Sequence, residues 1–267
     1  NYFDAGIHKE TAAVKRADRT SKSGHHSVFE HSYITLMISG LSKMAAMTLN
    51  STGAYVTSEK SARYTKMEPK TELEKQMYDK WYTIFSKLIA EEYPDKNLDI
   101  NKLAMENARY TTDVFTPTNM IYTMSYRQMC YIISWIDEYK DLAEKSSTKL
   151  YKKLWIELDE LKNKFVDILG GDEYVIKPNK QTEFKFFRTL RGIEANSVRQ
   201  CIGDTYTIEY KCSFACLAQL QRHRTLHYEM AYKDDYCSGY YIPEIIPNEV
   251  GLRKQWVDDM IKLKKAG

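Results

Sequence analysis

The chain has 267 residues and carries 39 Lys and Arg against 36 Asp and Glu, a net charge of +3, with 43% hydrophobic residues. That length suffices for one or two domains with a substantial core, and no run of about 18 apolar residues offers a transmembrane helix. Charges of both signs are mixed along the chain, so composition selects neither a nucleic-acid nor a membrane partner. In chain order, residues 33–39 (Tyr-Ile-Thr-Leu-Met-Ile-Ser) are β-branched and aromatic with partial alternation, which predicts a strand. Ser42 is placed to cap a helix over the apolar stretch Lys43 to Leu49. Residues 50–67 read as a polar loop. Leu73, Met77, Trp81, Ile84, Phe85, Leu88 and Ile89 recur at helical spacing and predict an amphipathic helix over 71–92. A further helix is expected from Asn101 to Tyr110, a short strand from Asn119 to Tyr126, and a helix from Arg127 to Glu138. A long charged helix follows over 141–168, and Gly170-Gly171 breaks it. The domain boundary is set there, giving units 1–170 and 171–267. In the second, a strand is predicted at Thr205–Lys211, an apolar helix from Ser213 to Arg224, a Tyr-rich loop over 228–247 and a last helix over 249–265. Strand, Ser-started helix, polar loop is an order that occurs twice, at 33–67 and 205–247, though direct identity between the copies is slight.

The five cysteines, Cys130, Cys201, Cys212, Cys216 and Cys237, include no Cys-x-x-Cys pair. No zinc or redox site is therefore expected, and a reducing cytoplasm fits them best. Cys212 and Cys216 share one helical face, where plain packing explains them. No signal-peptide pattern is visible. The chain starts at Asn1 rather than Met and stops at Gly267 inside what reads as a domain, so further sequence is expected at both ends.

Two segments concentrate chemistry. Gly24 to His31 (Gly-His-His-Ser-Val-Phe-Glu-His) puts His25, Ser27, Glu30 and His31 just before a buried strand. A polar turn leading into the strand would account for them, and so would a set of donors and acceptors for a planar heterocycle. The spacing is not that of a helical zinc motif. Residues 219–224 read Gln-Leu-Gln-Arg-His-Arg. A basic helix end complementing the helix dipole is one reading of them; a cationic cradle for an anionic ring is the other.

Residues 24–31 resemble the Gly-His-x-x-x-Phe-Glu-His signature of the flavin-dependent thymidylate synthases. Residues 219–224 resemble that family's Gln-x-x-Arg-His-Arg, and Tyr241-Ile242-Pro243 its downstream Phe/Tyr-Ile-Pro. Glu59-Lys60-Ser61-Ala62-Arg63-Tyr64 is similar to the family's Glu-x-Ser-Gly-Arg-Tyr loop, Ala108-Arg109 to its Ala-Arg, and Thr123 to Arg127 to its Thr-x-Asn-x-Arg segment. The resemblance covers about residues 11–137 and 197–265. It implies an α+β fold, an antiparallel sheet with long helices. It also implies FAD as cofactor, NADPH and methylenetetrahydrofolate as co-substrates, dUMP as substrate and a homo-oligomer of two-unit chains. The flavin side would be His25, Ser27, Glu30, Ser125, Arg127, His223 and Arg224. The nucleotide side would be Glu59, Ser61, Ala62, Arg63, Arg109, Gln219 and Arg222, with Arg222 the catalytic cation. No metal is implied. Serine and backbone N–H groups suit a phosphate, and an arginine brings a planar fork to it; without the resemblance Arg63 reads as an ordinary surface arginine.

The departures have a pattern. Ala62 replaces Gly, Ser125 and Tyr131 replace Asn, and Ile136 stands near the family's uracil-activating arginine. The first unit has Ser51-Thr52-Gly53 where the family has Arg-His-Arg, and the second has no His/Glu segment at 196–203 and Tyr232 in place of a Ser. The two units have lost complementary parts. The expectation is a tandem, diverged synthase whose two copies share one whole site. Two other readings stay open: modification of another pyrimidine deoxynucleotide, and a catalytically degenerate structural subunit.

Overall fold

The computed structural model describes residues 10–51, 55–62, 64–66, 68–94, 96–146, 148–177, 211–221, 240–248 and 250–266. The elements are α1 (Glu10–Lys22), β1 (Tyr33–Ser42), α2 (Lys43–Leu49), β2 (Tyr55–Glu59), α3 (Glu72–Glu92), α4 (Ile100–Ala108), β3 (Pro117–Ser125), α5 (Tyr126–Lys145), α6 (Lys149–Leu169), α7 (Phe214–Leu220) and α8 (Val250–Ala266). The sheet order is β1-β3-β2. Both pairings are antiparallel: Tyr126 N–H donates to Ser32 at one end of the β1–β3 pair and Lys43 N–H to Thr116 at the other, and Lys60 N–H donates to Asn119 beside β2. The fold is α+β, a small antiparallel sheet among many helices.

The chain divides into two compact units, Asn1–Met37 with Thr52–Thr57 and Ile121–Lys185, and Ile38–Ser51 with Ser58–Met120 and Phe186–Gly267. In the first, α5 packs on α6. Leu154, Leu158, Leu161 and Phe165 of α6 sit at helical spacing and are buried, which is why this highly charged segment folds onto its neighbour. Its end is set by Gly170, whose φ of +96° is a left-handed cap that other residues resist. The strap after it brings Ile176 against Cys130 and Tyr131, with Phe29, Tyr126 and Val175 around them. Tyr126 Oη donates to the Tyr174 carbonyl. Burial, reinforced by the neighbouring Cys130, pushes the Tyr126 hydroxyl up to about 12.

In the second unit, α3 packs on α4 and α8. Thr71 and Glu74 form a capping box that starts α3. Trp81, Phe85 and Trp256 are wholly buried, and the two indoles meet edge to face with centroids 4.7 Å apart. Asp259 is buried beside them. It accepts from Lys80 Nζ, from Trp81 Nε1 at 3.0 Å and from Lys262 Nζ at 3.4 Å. This is how a carboxylate survives in that core.

Two expectations need correction. Residues 50–67 hold a strand, β2, at Tyr55–Glu59. It is short and lies at an edge of the sheet, with Val56 and Ser58 exposed, so it lacks an apolar run to betray it. The second correction concerns the helix expected over 141–168. α5 continues to Lys145 and α6 begins only at Lys149. Between them Ser146 Oγ accepts from Thr148 N–H at 3.1 Å, a local bond that competes with helix continuation. The strand expected at Thr205–Lys211 and the part of the Ser213–Arg224 helix beyond 221 lie outside the described residues, apart from Lys211, which is in no helix or strand.

Candidate functional site

In the first unit, the Gly24 turn (φ +78°) leads into a 3-10 turn over His26–Glu30. It leaves His25, Ser27 and Glu30 exposed and turns His26 inward. Arg127 comes to the same place from the second position of α5. Its Nη1 donates to Glu30 Oε1 at 2.7 Å although 97 residues separate the two. Ser125 is buried and its Oγ caps α5 by accepting from Gln128 N–H at 3.1 Å. That duty commits the hydroxyl to capping the helix. Arg127 Nε donates to Tyr131 Oη at 3.0 Å, and its guanidinium carbon lies 5.0 Å from the Tyr131 ring centre.

In the second unit, β2 ends on Glu59. Lys43 Nζ donates to Glu59 Oε1 at 2.5 Å and to the Lys60 carbonyl at 2.6 Å, while Thr118 Oγ1 reaches the same Oε1 at 3.2 Å. Glu59 therefore anchors the start of the loop. The Ser61 carbonyl accepts from Tyr64 and Thr65 N–H, which closes a tight turn, and Ala62 packs against the α3–α8 core. Arg63 lies outside the described residues.

Arg109 ends α4 half-buried. Its Nε is buried and has no hydrogen-bond partner among the described residues. Tyr110 lies beside it, with the guanidinium carbon 5.6 Å from the ring centre, and Tyr241 packs on Tyr110 at 4.6 Å. Trp256 Nε1 holds the Tyr241 carbonyl at 2.9 Å. The Tyr241 hydroxyl is pushed up by burial, by Tyr110 and by Glu244; Arg109 opposes this and Cys216 of α7 adds to it. Arg109 and α7 thus lie within electrostatic reach of one tyrosine. α7 starts at a Ser213 cap that accepts from Cys216 N–H at 3.1 Å. Gln219 is half-buried near its end, and Gln221, 7% exposed, has a buried Nε2 with no partner among the described residues. Arg222, His223 and Arg224 lie outside the described residues.

The structure thus joins Glu30 to Arg127 and sets Glu59, Ser61 and Ala62 on one loop. Sequence reasoning gave no role to Lys43, His26 or Tyr110, and named Tyr131 only as standing where the family has Asn. Lys43 had a faint signal, a lone charge opening an otherwise apolar helix; His26 and Tyr110 had none, because each partner is set by the fold. Among the described residues no group of three or more His, Cys, Asp or Glu could hold a metal, and no helix is long and apolar enough to cross a membrane.

The profile of the thymidylate synthase complementing protein family matches residues 4–161. The chain belongs to that family. The matched stretch contains the Gly24–His31 segment, the Ser61 loop, Arg109 and Arg127. Two solved structures of thymidylate synthase X from Helicobacter pylori, both with FAD and dUMP, are similar. One is 18% identical, over 66% of this chain and 87% of that one, with a TM-score of 0.39. The other is also 18% identical, over 62% and 88%, with a TM-score of 0.35. No curated protein matches the chain.

Proposed function

We propose that this member of the thymidylate synthase complementing protein family is a flavin-dependent thymidylate synthase that methylates dUMP with FAD, NADPH and methylenetetrahydrofolate. The observation that carries the reading is the Glu30–Arg127 pair at 2.7 Å, which brings two distant family-type segments to one point. The residues present fit such ligands. His25, Ser27 and Glu30 stand exposed and Glu30 pairs with the Arg127 cation, a donor and acceptor set suited to the polar edge of a flavin. The buried Arg109 Nε lacks an acceptor among the described residues, a deficit of about 1–3 kcal/mol that a nucleotide oxygen would remove. When bound, the flavin supplies hydride chemistry. Around it, Arg127, His223 and Arg224 hold the ring and favour its anionic form. Ser61, Arg63, Arg109, Gln219 and Arg222 hold the nucleotide in register, and Glu59, already paired with Lys43, fixes the Ser61 loop.

We also infer that the chain is a tandem form of the family unit, with its Arg-His-Arg supplied by the second copy. Supporting this, α2 and α7 each run seven residues from a serine cap that accepts from the third helical N–H. α3 and α8 share a register in which Met77, Trp81, Phe85, Lys87 and Leu88 answer Leu252, Trp256, Met260, Lys262 and Leu263. Trp81 and Trp256, equivalent in that register, touch each other. One observation favours another product: Ile136, near the position of the uracil-activating arginine, is wholly buried, so that cation comes from elsewhere or the chemistry differs. Assay of the purified full chain for bound flavin, and for dTMP formation from dUMP with methylenetetrahydrofolate and NADPH, tests the reading. A colourless protein that binds no added FAD overturns it, and flavin binding with turnover of a different pyrimidine nucleotide supports the second reading.

A further inference from the structure

We propose that Tyr131 and His26 form a buried brace that sets the direction of the Arg127 guanidinium, which makes Tyr131 a positioning residue of the flavin-side site; this rests on the flavin reading above. Tyr131 is 7% exposed and His26 5% exposed, whereas Glu30 is exposed. Tyr131 Oη lies 3.0 Å from Arg127 Nε and 3.2 Å from His26 Nδ1, while His26 Nε2 lies 3.2 Å from the Ser21 carbonyl. With His26 neutral, donor chemistry orders these contacts. An arginine Nε only donates, so Tyr131 Oη accepts there and its single proton goes to His26 Nδ1. A carbonyl only accepts, so His26 carries its proton on Nε2 and gives it to Ser21. Every group in the chain is satisfied by one tautomer, and a satisfied buried network specifies one geometry.

The consequence is directional. Nε is held by Tyr131, whose ring centre lies 5.0 Å from the guanidinium carbon, and a terminal nitrogen is left to reach the exposed Glu30. Nη1 meets Glu30 at 2.7 Å. A free arginine carries several rotatable bonds, so fixing it removes much of the entropy that ligand binding would otherwise cost.

The test is a double-mutant cycle on the full chain, read as FAD affinity by equilibrium titration. Y131F removes one oxygen and keeps the ring. It is expected to weaken FAD roughly 3- to 30-fold in the wild-type background, but less than about twofold when Arg127 is already alanine. His26→Asn, which keeps an acceptor near the Nδ1 position, is expected to bind FAD within about threefold of wild type, while His26→Leu matches Y131F. FAD affinity within twofold of wild type for both Y131F and His26→Leu overturns the brace. So does equal weakening with and without Arg127, which marks a purely structural role. Wild type that binds no FAD removes both this inference and the reading beneath it, so the two failures are told apart by the wild-type titration alone.

Discussion

Lys43 Nζ lies 2.5 Å from Glu59 Oε1, with side-chain exposures of 19% and 10%, and the same ammonium holds the Lys60 carbonyl. The carboxylate that opens the candidate nucleotide loop is therefore committed to the protein. Removing one charge of such a pair strands the other in a poorly solvated place. Lys43→Met is expected to destabilise the fold by about 3 kcal/mol and to weaken dUMP binding, because the Ser61 turn loses its anchor. The double variant Lys43→Met/Glu59→Leu is expected to recover stability but not dUMP affinity. Urea unfolding read beside dUMP titration checks this; full stability in Lys43→Met would contradict it.

Asp259 gives a pH signature. Burial pushes its carboxyl up, but the hydrogen bonds and charges of Lys80, Trp81 and Lys262 outweigh that and hold it below its ordinary value of 3.8. A carboxyl lowered by folding stabilises above its unfolded value and loses that contribution as pH falls through the folded value. Wild type is therefore expected to lose stability as pH drops below about 4, and Asp259→Asn to lose less over the same range while starting lower. Urea midpoints between pH 7 and 2 measure this, and parallel curves for the two proteins would refute it.

Trp256 anchors the last helix. It is wholly buried against Trp81 and Phe85 and donates to the Tyr241 carbonyl. Trp256→Ala is expected to cost about 3–5 kcal/mol, and Trp256→Phe less. Thermal unfolding measures both, and a loss below about 1 kcal/mol for Trp256→Ala would mean that α8 is not a structural part of this core.

Much of this architecture was open to reading from the residues. Trp81, Phe85 and Ile89 spell out α3, Ser42 marks the start of α2, and Gly170 marks the end of α6, because each acts through its immediate neighbours. β2 was hidden, since an edge strand with Val56 facing solvent needs no alternating pattern. The break at Ser146–Thr148 was hidden because charged helical residues flank it on both sides. In the site, Glu30 and Arg127 could be named from their motifs, yet their pairing could not. The brace from His26 to Tyr131 joins residues 105 positions apart, and nothing local in either residue announces the other.

Arg109 separates binding from stability. Its Nε is buried without a partner among the described residues, so truncation removes an unsatisfied donor as well as a charge. Arg109→Ala is expected to weaken dUMP at least about tenfold, as for loss of a charge-assisted contact, with the melting temperature within a few degrees of wild type. A variant that binds dUMP normally would take Arg109 out of the site.

The central claim is the proposed assignment of Arg222 to nucleotide binding in a flavin-dependent synthase. Titration of FAD and dUMP into Arg222→Ala beside wild type tests it most directly. The account predicts that wild type binds both ligands and that the variant stays folded, loses dUMP affinity by at least about tenfold and turns over no dUMP. An Arg222→Ala protein that binds and converts dUMP like wild type would contradict it.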